Sequence, residues 1–574
     1  MELQAELLLY LDKRRFLFDM GDRSEEFLKQ LTVETVCKCP PLRYILEIDV
    51  MDLLNHSPCV GKLLLDEPIK FQRSCNKILY ACLKSIGNDL LSDVQVTQVA
   101  VNVRLRALPR LLVGLNPRSY PGLVQFQGLL LDISKPMPSV YHTVWSCPEQ
   151  CDGNEVIVPY IPKTPPKCYI CRSVLFENSG LRRCGEQVIA TFKVKQELLI
   201  RKFKIVDDLI IKLKLGSVFS ITATILKKTM DVWSLEEVVA LPAPMTSAVP
   251  ADISELYNIC DGIPWKFIYC LASSIGVNVC PLNCFMHLKI SLLMSLTSLK
   301  ANMVTGSSII HVLAAGLDTS IVGTLMEEGA KLADTSIALG SSNSTVSTAL
   351  LGSSGGVCFM PLPLHTYNQK LTSAILSAIE SGEISHEFGR TKLRTAVWAQ
   401  GMDFKKISLY NVASVFATVC RGDYGEYQDE IVEFQLQRSV EPIKVTFEEV
   451  QAIKDVALYV DLVSGIQVSL DGATESLLRN YFLAARKERT RGVSIGSMES
   501  LVATCVTSAR LCRRTTATID DAIFAIWLHV SGSPEPRFAP DEYLQTPADI
   551  KKLQKIFNQF IIWLEEFTGN CYDK

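Results

Sequence analysis

The sequence lacks the features that would place the chain in a membrane or on an export route. No stretch of about 18 uninterrupted apolar residues occurs, so neither a membrane-spanning helix nor a membrane partner is expected. The apolar run at residues 7–9 has charged residues on both sides, whereas a signal peptide needs a charged start, an apolar stretch and then small residues. These absences indicate an intracellular protein.

Neither sign of charge is in excess. Lys and Arg number 58 and Asp and Glu number 61, so the net charge is −3 and the overall charge does not by itself indicate a nucleic-acid partner. No internal repeat and no low-complexity tract is present. With 48% hydrophobic and 21% charged residues over 574 positions, the composition is that of a folded protein. The length predicts about three to four domains.

The motifs of common enzymes are also missing. The phosphate-binding loop G-x-x-x-x-G-K-[ST] occurs nowhere, and residues 301–330 contain no lysine. Residues 395–420 contain no arginine, so they offer no arginine finger for the ATP site of a neighbouring subunit. Metalloprotease, serine-hydrolase and dinucleotide-binding signatures are absent, and the seven histidines are scattered. The sequence therefore predicts a protein that is not an enzyme.

Four of the 19 cysteines have the spacing of a zinc ribbon. The pattern is Cys147-x3-Cys151-x16-Cys168-x2-Cys171. Two cysteine pairs of this kind hold Zn²⁺ tetrahedrally, and four sulfur ligands leave no position for a reacting water, so the metal would be structural. The alternative is four buried free thiols, and Cys184 and His142 are nearby substitutes for a ligand.

A second group of cysteines has looser spacing. It comprises Cys260, Cys270, Cys280 and Cys284. Three of them lie in an apolar helical stretch, which favours core cysteines over a second metal site.

The pattern along the chain indicates a multidomain protein of the α+β and α/β classes. The predicted segments are a helical domain at 1–95, a β-barrel at 96–240 with the ribbon at about 145–185, a linker at 241–252, an α/β domain at 253–440 and a helical region at 441–574. Apolar residues at helical spacing cover residues 42–86, and the barrel is expected to begin with residues 94–101. Strand-like runs of the α/β domain lie at residues 308–315, 357–360, 396–399 and 413–419.

Positive charge concentrates in the predicted barrel. Residues 160–230 contain 14 Lys or Arg and five Asp or Glu, which is a local charge of +9 and indicates a polyanion partner. The candidate DNA-binding residues are Arg182, Arg183, Lys193, Lys195, Arg201, Lys202, Lys204, Lys227 and Lys228. A solvated charged face is the alternative. Interleaved phenylalanines, Phe192, Phe203 and Phe219, could stack on bases, but barrel-core positions are favoured.

Several stretches, taken in order, resemble the minichromosome maintenance (MCM) family. They are residues 48–55 (IDVMDLLN), 122–138 (GLVQFQGLLLDISKPMP), 355–360 (GGVCFM), and 498–502 (MESLV) with 517–522 (ATIDDA). The likeness is closest to the divergent, meiosis-linked MCM-domain-containing proteins of type two. It implies an OB-type barrel with a zinc ribbon, an AAA+-like α/β domain and a C-terminal helical lid.

The departures from the family pattern imply a degenerate ATPase. The phosphate loop would begin at Gly316, and Val322 and Gly323 stand where active relatives have Lys-Ser. Pro361 and Leu362 occupy the positions of the acidic pair. Gly496 occupies that of the lid arginine. Because phosphoryl transfer depends on these charged groups, neither ATP turnover nor ATP binding is expected.

The resemblance implies a nuclear, non-catalytic scaffold that supports meiotic homologous recombination and crossover formation. Its expected partners are DNA, either single-stranded or in recombination intermediates, and other MCM-like subunits. Two alternatives are a general single-stranded-DNA-binding factor of replication or repair, and an active AAA+ DNA helicase with unusual motifs.

Overall fold

The computed structural model describes residues 2–31, 41–89, 94–109, 122–151, 156–194, 200–226, 229–238, 248–315, 319–340, 346–387, 389–401, 415–421, 428–440, 447–489, 493–533, 537–547 and 549–569. The chain divides into two units, Met1–Val238 and Val239–Lys574. The predicted linker at 241–252 falls largely outside the described residues. No helix among them is both long and apolar enough to cross a membrane.

The described residues of the first unit begin with five α-helices and a two-stranded parallel sheet. The helices are α1 (Glu2–Lys13), α2 (Phe16–Leu31), α3 (Val50–His56), α4 (Pro58–Asp66) and α5 (Pro68–Ser85). The strands are β1 (Leu42–Asp49) and β2 (Val99–Arg106), which pair from Leu42 opposite Val99 to Asp49 opposite Arg106. Capping side chains start two of the helices: Asp49 accepts from the backbone N–H of Asp52, and Ser57 accepts from that of Val60.

Two segments differ from the sequence-based expectation. Residues 42–49, expected to be helical, form β1, because every second side chain from Leu42 to Ile48 is buried and this alternation is that of a strand. Residues 99–106 pair with β1 instead of joining the barrel. The reason is that the alternate side chains from Val99 to Leu105 pack into the same core as the N-terminal helices.

Eight further strands follow in the first unit. They are β3 (Val124–Ile133), β4 (Met137–Ser146), β5 (Val156–Val158), β6 (Phe176–Glu177), β7 (Arg183–Val194), β8 (Ile200–Val206), β9 (Val218–Leu226) and β10 (Thr229–Glu237). Five of them close into a ring in the order β3, β7, β8, β10, β9 and back to β3. The pair β8–β10 is parallel and the other four pairs are antiparallel.

Strand β4 connects this ring to a small second layer. Its first half pairs with β7, and its second half pairs with β5 and β6. The layer buries Trp145 and Leu175 beside Cys147 and Cys168, which makes a core of very few side chains. So small a core needs a further source of stability.

The second unit is built on a five-stranded parallel sheet. Its strands, in sheet order, are β12 (Ser336–Ala338), β13 (Val357–Pro363), β16 (Ala396–Gly401), β11 (Val312–Ala315) and β17 (Thr418–Arg421). The four strand-like runs of the sequence contain or overlap β11, β13, β16 and β17, so the expected strands are confirmed, and all four lie in this parallel sheet. Two small sheets add β14 (Glu383–His386) with β15 (Gly389–Lys392), and β18 (Ser469–Leu470) with β19 (Thr516–Ala517).

The other described elements of the second unit are mainly helices. They are α6 (Ala251–Ile259), α7 (Pro264–Ser273), α8 (Met286–Thr305), α9 (Thr319–Ala330), α10 (Val346–Gly352), α11 (Gln369–Ser381), α12 (Gln428–Val440), α13 (Phe447–Ser464), α14 (Gly472–Glu488), α15 (Ile495–Leu511), α16 (Ile519–Gly532) and α17 (Ile550–Thr568). The last helix buries Leu553, Phe557, Phe560 and Leu564, and the Phe557 ring stacks on Trp265 at 4.5 Å. Apart from the short strands β18 and β19, the described residues of the C-terminal region are mainly helical, as the sequence predicts.

Candidate metal centre, basic surface and nucleotide cleft

The four ribbon cysteines come together in space. Their Sγ atoms all lie within 4.8 Å of one another. Cys147 Sγ is 3.9 Å from Cys151 Sγ and 3.3 Å from Cys171 Sγ. Among the described residues this is the one group of metal-ligating side chains found, and the substitutes His142 and Cys184 are not part of it. The cluster can hold a metal ion.

Local backbone geometry shapes both cysteine turns. Gln150, just before Cys151, and Arg172, just after Cys171, have φ of +50° and +59°, the left-handed conformation found in tight turns. In the second turn the Cys168 N–H donates to Ser173 O at 2.8 Å. The N–H groups of Ile170 and Cys171 point at Cys168 Sγ, at 3.3 and 3.4 Å. Donors aimed at sulfur favour the thiolate, which is the metal-binding form.

The centre is partly shielded from solvent. Cys168 is 2% exposed and Cys147 is 9% exposed. Hydrogen bonds from Ser173 lower the pKa of the Cys171 thiol to about 6. Four sulfur donors leave no coordination position for a reacting group, so this arrangement suits a structural metal.

The second cysteine group belongs to a hydrophobic core. Cys260, Cys280 and Cys284 are at most 3% exposed, and Cys270 packs against the same core. The core-cysteine interpretation of this group is therefore confirmed.

Three of the candidate basic residues share the outer face of the ring. Along β7 and β8 the core residues alternate with Lys193, Lys202 and Lys204, which point away from the core. Partial burial lowers the pKa of Lys193. Arg201 has the opposite orientation, and its guanidinium lies 5.6 Å from the centre of the Phe126 ring.

Two other described candidates, Arg182 and Arg183, do not extend this face. Arg182 forms an ion pair with Glu177 at 2.7 Å. Arg183 lines a cavity of about 290 Å³ together with Arg43 and Tyr141. Arg183 and Lys193 are ten residues apart on one strand, hence roughly 33 Å apart. Three more candidates, Lys195, Lys227 and Lys228, lie outside the described residues.

The interleaved phenylalanines are core residues. Phe192 and Phe203 are fully buried and Phe219 is 1% exposed. The Phe192 ring meets Phe203 and Phe219 edge to face, with centroids 5.5 and 6.1 Å apart. The core interpretation is confirmed, and these rings are not available to stack on bases.

Two aspartates after β8 hold the ring to the N-terminal strands. Arg43 donates to Asp207 at 2.6 Å, and Arg104 donates to both carboxylate oxygens of Asp208, at 2.9 and 2.5 Å. Burial alone would raise the pKa of Asp208, but the Arg104 guanidinium outweighs this effect and the pKa is lowered. In the sequence these aspartates are simply two of the five acidic residues of 160–230, and nothing there predicts their arginine partners.

The structure brings two of the candidate nucleotide-site residues together. A Cβ atom on Gly323 of α9 would lie 2.9 Å from the carbonyl oxygen of Pro361 and 3.2 Å from Gln400 Nε2. The Gln400 amide donates to that same carbonyl. Gln400 is 1% exposed and its position at the end of β16 gave no signal in the sequence.

The remaining positions of this set differ in their surroundings. Val322 is 4% exposed and packs in the core of the second unit, whereas Leu362 is 40% exposed. Gly496 lies in the exposed first turn of α15. Gly316 falls outside the described residues.

Comparison with known proteins agrees with the resemblance. The sequence profile described as "MCMDC2, N-terminal domain" matches residues 3–108. Minichromosome maintenance domain-containing protein 2 of Mus musculus is 20% identical, over 92% of this chain and 90% of the mouse protein. The protein of the same name from Rattus norvegicus is 21% identical, over 60% of this chain and 58% of its own length. The chain is therefore similar to MCMDC2 proteins of the MCM family, by the profile at its N-terminus and by a mouse relative that aligns with most of its length.

The profile and the mouse relative cover different numbers of the sites described above. The profile covers the N-terminal helices with β1 and β2, and so includes Arg43 and Arg104 of the aspartate contacts. The cysteine cluster and the Gly323–Pro361 contact lie beyond the profile. The alignment with the mouse relative covers 92% of the chain that contains these two sites.

Proposed function

We propose that this MCMDC2-like chain is a non-catalytic nuclear scaffold that binds DNA and other MCM-like subunits and supports meiotic homologous recombination and crossover formation. The contact of Gly323 with Pro361 carries the proposal. An ATPase of this type needs a hydroxyl and a carboxylate to hold Mg²⁺ beside the phosphates. Gly323 has no hydroxyl, Pro361 has no carboxylate, and the Gln400 amide satisfies the Pro361 carbonyl.

The sheet orders support the domain assignments behind the proposal. A closed five-stranded ring with one parallel pair fits an OB-type barrel spanning part of 96–240, with the ribbon inserted after β3. A parallel five-stranded sheet within 253–440 fits a degenerate AAA+-like domain, and the helices of 441–574 fit its lid. The helical domain would occupy residues 1–95 together with β2.

Zinc is the proposed cofactor of the ribbon. With Zn–S bonds of about 2.3 Å, tetrahedral sulfurs lie about 3.8 Å apart. The separations from Cys147 Sγ to Cys151 Sγ and Cys171 Sγ are 3.9 and 3.3 Å, so the donor set fits the ion. Cys147, Cys151, Cys168 and Cys171 would hold zinc, which would supply stability to a layer with few core side chains.

DNA binding would use the outer face of β7 and β8. Lys193, Lys202 and Lys204 are the described candidates with this orientation. Contacts of this kind are made to phosphates and do not select a sequence, as a scaffold on recombination intermediates requires.

The experiment compares DNA binding by the purified chain with and without Mg-ATP, and then crossover number in germ cells that lack the protein. The proposal expects equal affinity in both solutions, and fewer crossovers with normal DNA replication. DNA affinity that changes with ATP would support the helicase alternative. Slow replication with normal crossovers would support the general replication factor.

A further inference from the structure

The second cysteine turn exposes large side chains that the metal centre does not use. Residues 166–175 form a short hairpin around this turn. The Leu175 N–H donates to Pro166 O at 2.9 Å, and Lys167 pairs with Val174 in an antiparallel bridge. The hairpin places one row of side chains against the metal centre and the other row towards solvent.

Burial identifies which side chains point outward. Cys168 is 2% exposed and Leu175 is 1% exposed, so both point inward. Their chain neighbours must point the other way. These neighbours, which we name the ribbon face, are Lys167, Tyr169, Val174 and Phe176. Tyr169 is 82% exposed, Phe176 65% and Val174 48%.

The ribbon face has an extended shape. Four strand steps separate Phe176 at one end from Tyr169 at the turn, which is about 13 Å. Lys167 and Val174 lie between the two rings. Single exposed apolar residues are common on protein surfaces, but several on one small hairpin mark a binding surface.

The hairpin that bears the ribbon face is itself positively charged, with Lys167 and Arg172 and no carboxylate in residues 166–175. Lys163, Lys167 and Arg172 are exposed. Residues 156–182 contain one carboxylate, Glu177, and Arg182 forms an ion pair with it at 2.7 Å. A partner that places negative charge near the cations and flat apolar groups on the rings therefore complements this surface.

We infer that the ribbon face binds single-stranded nucleic acid, with bases stacked on Tyr169 and Phe176 and phosphates near Lys167 and Arg172. Stacking on exposed aromatic rings beside cations is how proteins hold unpaired strands without reading sequence. Bases inside a duplex are already stacked and do not reach such rings. The surface is separate from the barrel lysines, and it rests on the proposed DNA-binding function.

The test uses the full-length chain and three fluorescent probes: an oligothymidine, an abasic strand of equal length and a hairpin duplex. The variant is Tyr169→Ala with Phe176→Ala. The control is Ile211→Ala with Leu483→Ala, which also removes two exposed apolar side chains, 88% and 54% exposed, elsewhere. Metal content is measured on each protein to show that the ribbon is intact.

The ribbon variant is expected to lose about fivefold or more in affinity for oligothymidine. Its affinity for the abasic strand and for the duplex should equal the parent's, because neither offers free bases. The control should match the parent on all three probes.

The test distinguishes failure of the proposed DNA-binding function from failure of the ribbon-face assignment. A parent chain that binds none of the probes overturns the proposed DNA-binding function. A parent that binds oligothymidine no better than the variant does, with metal retained, overturns the assignment of the ribbon face alone. Equal nucleic-acid binding combined with loss of a germ-cell protein from the variant would show that the face contacts a protein instead.

Discussion

The carbonyl oxygen of Pro361 lies 2.9 Å from where a Cβ of Gly323 would stand. Under the function proposed above, these two residues take the place of the groups that hold Mg²⁺ in an active ATPase of this type. Here α9 and β13 instead approach so closely that only a glycine fits between them. Adding a serine hydroxyl at 323 would therefore require the backbone of β13 to move.

Gly323→Ala should destabilise the protein, although alanine usually stabilises a helix. Helix propensity favours alanine by about 1 kcal/mol, but overpacking against a backbone carbonyl costs about 1–3 kcal/mol. The measurement is the free energy of unfolding in urea. Gly472→Ala, in the first turn of α14 with no atom within 4 Å of the added carbon, is the control and should be neutral or stabilising. Equal effects of the two substitutions would argue against the close contact.

Cys168→Ser should remove the metal and lower the unfolding temperature of the ribbon. Cys168 is the most buried of the four sulfur donors, and the layer has few core side chains to replace the metal's contribution. The metal content of purified protein should fall from one zinc per chain to nearly none. Cys184→Ser, at an exposed cysteine outside the cluster, should keep the full content. Loss of zinc from Cys184→Ser would mean that the ligand set is misassigned.

Removing the three outward lysines of β7 and β8 should weaken DNA binding and its salt dependence together. The variant is Lys193→Ala with Lys202→Ala and Lys204→Ala. Each lost phosphate contact lowers the slope of log affinity against log salt by about 0.7–0.9. The control removes the same charge from α17, by Lys551→Ala with Lys552→Ala and Lys555→Ala, all exposed. If both triple variants behave alike, general charge and not this face determines affinity.

Asp208→Asn should destabilise the first unit by about 2 kcal/mol near neutral pH, because Arg104 loses a charged acceptor in a partly buried site. The folded pKa of Asp208 is lowered, so its contribution is present above the unfolded pKa and is lost as pH falls through the folded pKa. The difference between variant and parent, followed by urea unfolding, should therefore shrink below about pH 4. A difference that grows on acidification would contradict the ion pair. Asp541→Asn, at a 78% exposed carboxylate, should show little effect at any pH.

Local patterns predicted the parts of the structure that depend on near neighbours. The cysteine cluster followed from spacing because each turn brings its own pair together. The strands β11, β13, β16 and β17 followed from short apolar runs. Strand β1 was missed because residues 42–49 sit among helical patterns, and only the burial of every second side chain identifies it as a strand.

Contacts between distant parts of the chain were not predictable from the sequence. Arg43 and Asp207 are 164 positions apart, and neither segment contains a pattern that predicts their contact. Gln400 contacts Pro361 through the order of strands in the sheet, which the sequence does not state. The charge count of residues 160–230 does not show which cations share a face. Strand β7 is long enough to separate Arg183 from Lys193, and the alternation of β8 turns Arg201 away from Lys202.

Direct measurement of ATP binding and hydrolysis by the purified full-length chain tests the central claim. Calorimetric titration with Mg-ATP should give no saturable binding, and phosphate release should equal the buffer background, with and without DNA. The double variant Val322→Lys with Gly323→Ser should give the same result, because Val322 is buried and Pro361 blocks the added side chain at 323. Saturable binding by the parent, with hydrolysis that DNA stimulates, would contradict the scaffold assignment.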